Sequence, residues 1–265
     1  MKWRVKARLF EGKSPFQSVA VYDTVSHGRM LLIDGLLMTS ERDEFVYHEM
    51  IAHVPLFLHP RPRRVLVIGG GDGGTVRETL KHPTVESVTL VEIDGMVVDA
   101  AREYLPSTSA CLADPRVSVR IEDGVKFMAA HESEPFDVIL IDSTDPIGPA
   151  QPLFGPGFYA DVKKRLSADG IVVAQGECPF YRLDVQAALR KVVAGVFGSG
   201  TLYNYHNLTY PGGLWSFVIA SKLPRDLAAP DPERVAALQA GLSYYNLETH
   251  RAAFALPEFM KRGLR

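Results

Sequence analysis

Residues 141–150 read "IDSTDPIGPA" and hold two carboxylates three positions apart, Asp142 and Asp145. They straddle a turn, and Pro146 stops any regular continuation of the chain. Such a turn aims both carboxylates into one cleft, which suits either a metal ion or an ammonium group. A hard metal ion asks for a third close acid or a histidine at ligand spacing. Neither is near, so the stretch favours ammonium capture and no metal is expected.

A second stretch bears on the ligand. "GGGDGG" at 69–74 follows the apolar run "RRVLVI". Glycine loops of this kind open helices, where bare N–H groups and the helix dipole favour anions. Asp72 in its middle opposes a phosphate. No lysine and serine follow in the P-loop pattern, and a dinucleotide's pyrophosphate would meet a carboxylate. Glu92 closes the next apolar run, about 20 residues on, where a carboxylate accepts both hydroxyls of a ribose. Asp123 in "EDG" is placed to accept from an adenine amine; a helix cap for Glu92 and an Asp-Gly turn for Asp123 are the competing readings. A nucleoside with a positive centre and no phosphate fits, and S-adenosyl compounds have that character.

The elements that must position these residues form a βαβα series from Arg63. Strands are expected at "RRVLVIGG", "SVTLVEID", "RVSVRIED", "FDVILID" and "GIVVAQGE", with helices at "GTVRETLKH", "MVVDAAREYL", "VKFMAAH" and "GFYADVKKRLS". Nearly continuous apolar strands interleaved with helices imply a parallel sheet covered on both faces. Ligands bind beyond the carboxyl ends of such strands. All five strand ends carry acid or amide, so a cationic ligand is expected there. After the helix "LDVQAALRKVVAGVF", strands "TLYNYHNLTY" and "LWSFVIAS" are separated only by "PGG" and should pair antiparallel. The tail is helical at "PERVAALQAGL" and otherwise irregular.

Upstream, "WRVKARLF", "QSVAVYDT" and "RMLLIDG" predict a small antiparallel β unit. Then "SERDEFVYHEMIAHVPLFLHP" predicts a helix of about four turns capped by Ser40. Domains are therefore drawn at 1–45 and 46–265. The 265 residues are 46% hydrophobic with a net charge of -2, which exerts no global pull toward nucleic acid or membrane. No apolar run approaches the roughly 20 residues of a spanning helix. Two cysteines without partners at ligand spacing predict inert thiols in a reducing compartment, the cytoplasm.

Together "GGGDGG", "VEID", "EDG", "DSTDPIGPA", "QGE" and "TYPGGLWSF" resemble the polyamine aminopropyltransferases, specifically spermidine synthases. "FQSVAVYDT", "DGLLMTSERDEFVYHEM" and the tail "YYN…H…AFALPEF" extend the resemblance over nearly the whole chain. It implies an N-terminal β domain and a methyltransferase-like Rossmann domain with a mostly parallel seven-stranded sheet. It implies a homodimer or homotetramer. The co-substrate would be decarboxylated S-adenosylmethionine, without a prosthetic group, and the acceptor a diamine such as putrescine. Position by position, the resemblance makes Asp142 the base and Asp145 the holder of the acceptor amine. Asp72 would bind the donor's amine, Glu92 its ribose, and Asp123 with Gly124 its adenine. Gly69 and Gly71 belong to the donor loop, and Gln17 and Pro149 match donor-site positions. Tyr47, His48, Gln175 and Tyr210 match positions lining the acceptor channel. The stretch 143–154 matches a loop that closes over substrates.

Three departures stand out. Gly212 replaces a frequent serine, Gly95 a helix former, and His48 a glutamine. Cadaverine, agmatine or spermidine are alternative acceptors. Two other classes compete: an ordinary S-adenosylmethionine methyltransferase, against which Asp72 speaks, and a polyamine-binding protein without turnover.

Overall fold

The computed structural model describes residues 2–130 and 134–264. Four strands open the chain: β1 (Val5–Lys13), β2 (Ser18–Thr24), β3 (Gly28–Ile33) and β4 (Leu36–Ser40). They form one antiparallel sheet in that order. Three were expected. The fourth follows a two-residue hairpin in which Ile33 pairs with Leu36 and both Asp34 (φ 50°) and Gly35 (φ 77°) are left-handed. Asp-Gly is the dipeptide such tight hairpins favour, so "IDGL" is a turn joining two strands rather than a strand end. Val19, Val21, Leu31 and Ile33 pack one face of this sheet against Val97, Ala100 and Leu105.

Helix α1 (Glu44–Leu58) follows, and every residue of it from Val46 onward is buried. Its start corrects the sequence reading. Ser40 ends β4, and the N-cap position belongs to Asp43, whose side chain caps nothing in the helix. The Asp43 carboxylate instead accepts from the backbone N–H groups of Leu208 and Thr209, at 2.9 and 2.7 Å, and from the hydroxyls of Ser40 and Thr209. A long-range loop competes for the carboxylate and wins.

The second sheet alternates with helices: β5 (Arg64–Gly69), α2 (Gly74–Leu80), β6 (Ser87–Glu92), α3 (Gly95–Tyr104), α4 (Pro106–Ser109), β7 (Val117–Ile121), α5 (Gly124–Ala129), β8 (Phe136–Asp142), α6 (Pro156–Arg165), β9 (Leu166–Gln175), α7 (Pro179–Phe197), β10 (Thr201–His206) and β11 (Leu214–Ser221). Seven strands run in the order β10-β11-β9-β8-β5-β6-β7. The five from β9 to β7 are parallel; β11 is antiparallel to β9 and to β10. This is the mostly parallel sheet expected. Because side chains alternate along a strand, Val65 and Val67 of β5 join α1 and α2 on one face. Leu66 and Ile68 join the core of α6 and α7 on the other.

The expected helix "VKFMAAH" stops at Ala129, and its His131 lies outside the described residues. "TLYNYHNLTY" is a strand only to His206. The tail is more regular than expected, with α8 (Pro232–Leu238), α9 (Leu247–Ala253) and α10 (Glu258–Gly263). Helices this short are not stable alone and leave little periodic signal. Tertiary bonds hold them: the buried His250 ring contacts Tyr245 Oη at 2.7 Å and Leu227 O at 2.8 Å. Among the described residues, no helix is long and apolar enough to cross a membrane.

Candidate active site

The chain leaves β5 toward β6 and β7 on one side, then returns to lay β8 on the other. This reversal opens a crevice at the carboxyl edge, and Gly69 and Asp142 lie in register across it. Gly69 has φ 78°, and a Cβ there would run into the Asp142 carbonyl oxygen. Glycine is therefore required for the loop to turn away beside the aspartate.

Asp142 ends β8 with a donor on each oxygen. Tyr47 donates its hydroxyl to Oδ1 at 2.7 Å, and Thr75 donates to Oδ2 at 2.6 Å. Burial raises the pKa of this carboxyl, Asp72 adds to the rise, and His48 with the two hydroxyls opposes it. Asp72 is 9% exposed and accepts from Gly74 N–H through Oδ1, at 2.7 Å. His48 Nε2 lies 3.4 Å from the same oxygen, which leaves Oδ2 for a ligand.

Glu92 ends β6. Burial is the main reason its pKa rises to about 7, although it accepts from Asp94 N–H at 3.0 Å. It is not the cap of α3. That role belongs to Asp94, which accepts from Met96 N–H at 3.0 Å and is held by Ser14 Oγ at 2.7 Å. This cap starts α3 at Gly95 itself, so the glycine does not delay the helix. Asp123 does cap α5, accepting from Val125 N–H at 2.8 Å, and lines the crevice as well. Next to it, a Cβ on Gly124 would lie 2.6 Å from Ile68 Cγ2.

On the other side, Asp145 accepts from Gln175 Nε2 at 3.1 Å. Glu177 is 2% exposed, has φ 72°, and is pushed up to about 7 by burial and then by Asp145. Tyr210 donates to Met38 O at 2.5 Å and meets the Tyr47 ring edge-on. The Asp43 carboxylate holds the backbone immediately before Tyr210. The 143–154 stretch is irregular to Ile147 and then forms a 3-10 helix, Gly148–Phe154.

One cavity of about 560 Å³ is lined by all the residues expected from sequence at the donor and acceptor sites: Gln17, Tyr47, His48, Gly69, Gly71, Asp72, Glu92, Asp123, Gly124, Asp142, Asp145, Pro149, Gln175 and Tyr210. His48 is not a surface residue of its helix but 2% exposed. Cys178 also reaches this cavity, while burial pushes the Cys111 thiol up to about 12. Thr75 was not found by sequence reasoning. Thr75 directly follows the glycine loop, the one signal that could have flagged it. Glu177 was legible only as one more acid at a strand end.

His59, Asp137 and Asp169 have ligand-like proximity at the opposite end of the sheet. Arg61 N–H donates to His59 Nδ1 at 3.2 Å, which puts the ring proton on Nε2. The nitrogen facing Asp169 at 3.4 Å is then a donor rather than a metal ligand.

Residues 44–228 match the family model of the spermine/spermidine synthase domain, and residues 1–41 that of the spermidine synthase tetramerisation domain. A polyamine aminopropyltransferase of Bacillus mycoides (strain KBAB4) is 48% identical over 97% of this chain and 92% of its own. That of Bacillus subtilis (strain 168) is 46% identical with the same coverage. A spermidine synthase crystallised with the transition-state analogue AdoDATO superposes with a TM-score of 0.95 at 43% identity, covering 99% of this chain and 89% of that one. The spermidine synthase of Thermotoga maritima gives 0.94 at the same identity and coverage. With this fold, this crevice and relatives matched over almost its full length, the chain belongs to the spermine/spermidine synthase family, the polyamine aminopropyltransferases.

Proposed function

We propose that this enzyme transfers the aminopropyl group of decarboxylated S-adenosylmethionine to putrescine, giving spermidine and methylthioadenosine. Glu92 accepts from the donor's ribose hydroxyls, Asp123 and Gly124 read its adenine, and Gln17 and Pro149 complete that side. Asp72 takes the amine of the aminopropyl arm. Asp145, with Tyr47, His48, Gln175 and Tyr210, holds the acceptor.

A diamine is protonated at neutral pH and becomes a nucleophile only after losing a proton. A carboxylate is a weak base toward an ammonium of pKa about 10. The neighbouring sulfonium lowers the amine's proton affinity, and proximity supplies the rest. Asp142 takes the proton, the amine nitrogen bonds to the carbon beside sulfur, and the C–S bond breaks to release neutral methylthioadenosine. The observation that carries this reading is the register of Gly69 with Asp142, which sets the Asp142 carboxylate between the loop bearing Asp72 and the turn bearing Asp145. The relative crystallised with AdoDATO supports the choice of donor.

Residues 1–45 are read as a separate β domain and 46–265 as the catalytic one. The match to a tetramerisation domain supports a homo-oligomer, dimer or tetramer, which light scattering would distinguish. Two free cysteines fit a reducing compartment such as the cytoplasm. The function is tested with the decarboxylated donor and a panel of amines, putrescine being expected to give the highest kcat/KM. Isothermal titration complements it: tighter binding of intact S-adenosylmethionine than of its decarboxylated form would overturn the donor assignment.

A further inference from the structure

A chain of ionisable side chains, buried at His48 and half-buried at Glu44 and Arg77, leads away from Asp72 between α1 and α2. His48 Nε2 faces Asp72 Oδ1 at 3.4 Å, and Nδ1 of the same ring faces Glu44 Oε2 at 2.5 Å. Glu44 is gripped by a fork from Arg77, with Nη1 to Oε1 and Nη2 to Oε2 both at 2.9 Å. The ring fills a slot that exists because residue 74 has no side chain; a Cβ on Gly74 would collide with it.

A neutral imidazole has one N–H and one bare lone pair. With a carboxylate oxygen on each nitrogen, the neutral ring would point a lone pair at an anion. Only imidazolium donates to both. Arg77 serves Glu44 with its two terminal nitrogens and Glu78 with Nε at 2.8 Å, and Lys81 also pairs with Glu78 at 2.6 Å, so the charge on His48 is left mainly for Asp72. We propose that His48 is a resident imidazolium of the empty site: clamped between Glu44 and Asp72, it orients Asp72 for the donor's amine and offsets the repulsion that Asp72 exerts on Asp142, favouring the ionised form of Asp142. His48 is thus a positioning residue for the donor side, beyond its place in the acceptor channel. The inference rests on the reading of Asp72 and Asp142 given above.

The titratable groups around the ring agree. They are Glu44 and Tyr47 on α1, Asp72 in the loop, Arg77 on α2, Asp142 on β8 and Tyr210 between β10 and β11. Burial alone would lower the His48 pKa, but Asp72 and Glu44 outweigh it and hold it well above the ordinary range. Burial would raise Glu44, yet His48 and Arg77 bring it down to about 2.

The test is nitrogen-15 NMR of the ligand-free enzyme labelled at histidine, with the His48 signals identified by their loss in His48→Gln. At pH 8 both ring nitrogens of His48 should carry protons, where an ordinary histidine is neutral. In Glu44→Gln the titration midpoint should fall by at least about one unit. A neutral single tautomer in the wild type at pH 8 overturns the proposal; should His48→Gln not fold, the His48 signals are identified in the wild type by through-bond correlation to its backbone. An unmoved midpoint in Glu44→Gln overturns the clamp. In His48→Gln the acid limb of kcat should move to higher pH, and an unmoved limb overturns the electrostatic role. Binding to Asp72→Asn separates this from the underlying reading. If that variant binds the decarboxylated donor as tightly as the wild type does, the assignment of Asp72 fails whatever the state of His48. If it loses donor affinity but keeps methylthioadenosine, while His48 is neutral, only the present inference fails.

Discussion

The Thr75 hydroxyl donates to Asp142 Oδ2 across 2.6 Å, and Thr75 is fully buried. A hydrogen bond to a charged acceptor contributes about 1.5–3 kcal/mol, and about 1.4 kcal/mol corresponds to one pKa unit. Losing a donor to the ionised form raises a carboxyl's pKa. Thr75→Val keeps the shape and removes the donor, so the acid limb of kcat should move up by about one unit. The alkaline plateau should change little. A pH–rate profile at saturating substrates measures this, and a stationary limb would show that Thr75 does not govern the ionisation of Asp142.

Asp142→Asn and Asp145→Asn should each lower turnover by at least about 100-fold, on the order of a lost general base or of a misplaced nucleophile. The two differ in their acceptor dependence. Asp145→Asn should also raise the acceptor KM, because Asp145, which accepts from Gln175, is the residue proposed to hold the acceptor. Near-normal rates in both variants would sink the assignment of roles.

The βαβα frame and the crevice were legible because both are written locally. Apolar runs of strand length ended in acids, and glycines followed the first of them. Asp72, Glu92, Asp123, Asp142 and Asp145 could be named because each terminates or follows a strand. What escaped were relationships across long separations. Asp43 looks like part of a helix start but holds a loop 165 residues away. Thr75 looks like a helix residue but faces an acid 67 positions on. His48 has an ordinary helical neighbourhood, and nothing in it announces that Gly74 at the start of α2 packs against its ring. No periodicity encodes these.

The pKa of Glu92, at about 7, predicts how nucleoside binding depends on pH. Burial raises it above its usual value, so the empty fold takes up a proton there as pH falls through 7. A ribose that donates two hydroxyls binds the ionised carboxylate, so affinity should be full above pH 7 and should weaken as pH falls below it. By the same linkage, the buried carboxylate makes the empty fold less stable as pH rises from about 4.5 toward 7. Titration of methylthioadenosine calorimetrically from pH 6 to 8 measures the first effect. Glu92→Gln should bind weakly and lose the pH dependence; a retained dependence would assign it to another group.

Gly212, one of the departures from the family pattern that the resemblance implies, has φ 82°. A Cβ there would lie 2.9 Å from Cys178 Sγ and 3.1 Å from the Tyr181 ring. Left-handed backbone costs a non-glycine residue about 1–2 kcal/mol, before any contact is counted. Gly212→Ser should therefore lower Tm by several degrees, roughly 2–4 °C for each kcal/mol in a chain of this size. Because Cys178 and Tyr181 line the cavity, the acceptor KM should change more than the donor KM. An unchanged Tm and acceptor KM would mean that the segment shifts freely to admit the side chain.

Glu49 lies on α1 one residue past His48, is 1% exposed, and faces away from the crevice toward the tail. Its carboxylate accepts from three successive backbone N–H groups, those of Ser243, Tyr244 and Tyr245, at 2.7, 2.8 and 2.8 Å. This explains why "YYN" belongs with the α1 sequence although nearly 200 residues separate them. The tail segment has no regular structure of its own there and depends on the carboxylate for its hydrogen bonds. Glu49→Gln can accept through one oxygen only and turns an N–H₂ group toward N–H donors. The loss should be about 2–4 kcal/mol, from one or two buried donors left without an acceptor. Tm should fall by roughly 5–10 °C, and limited proteolysis should cut first within 242–260. At 25 °C the donor KM should stay within about threefold, since α1 keeps its packing against the sheet and the crevice residues keep their own bonds. A variant as stable as the wild type would show that the tail is held by the packing of Tyr245 and His250 alone.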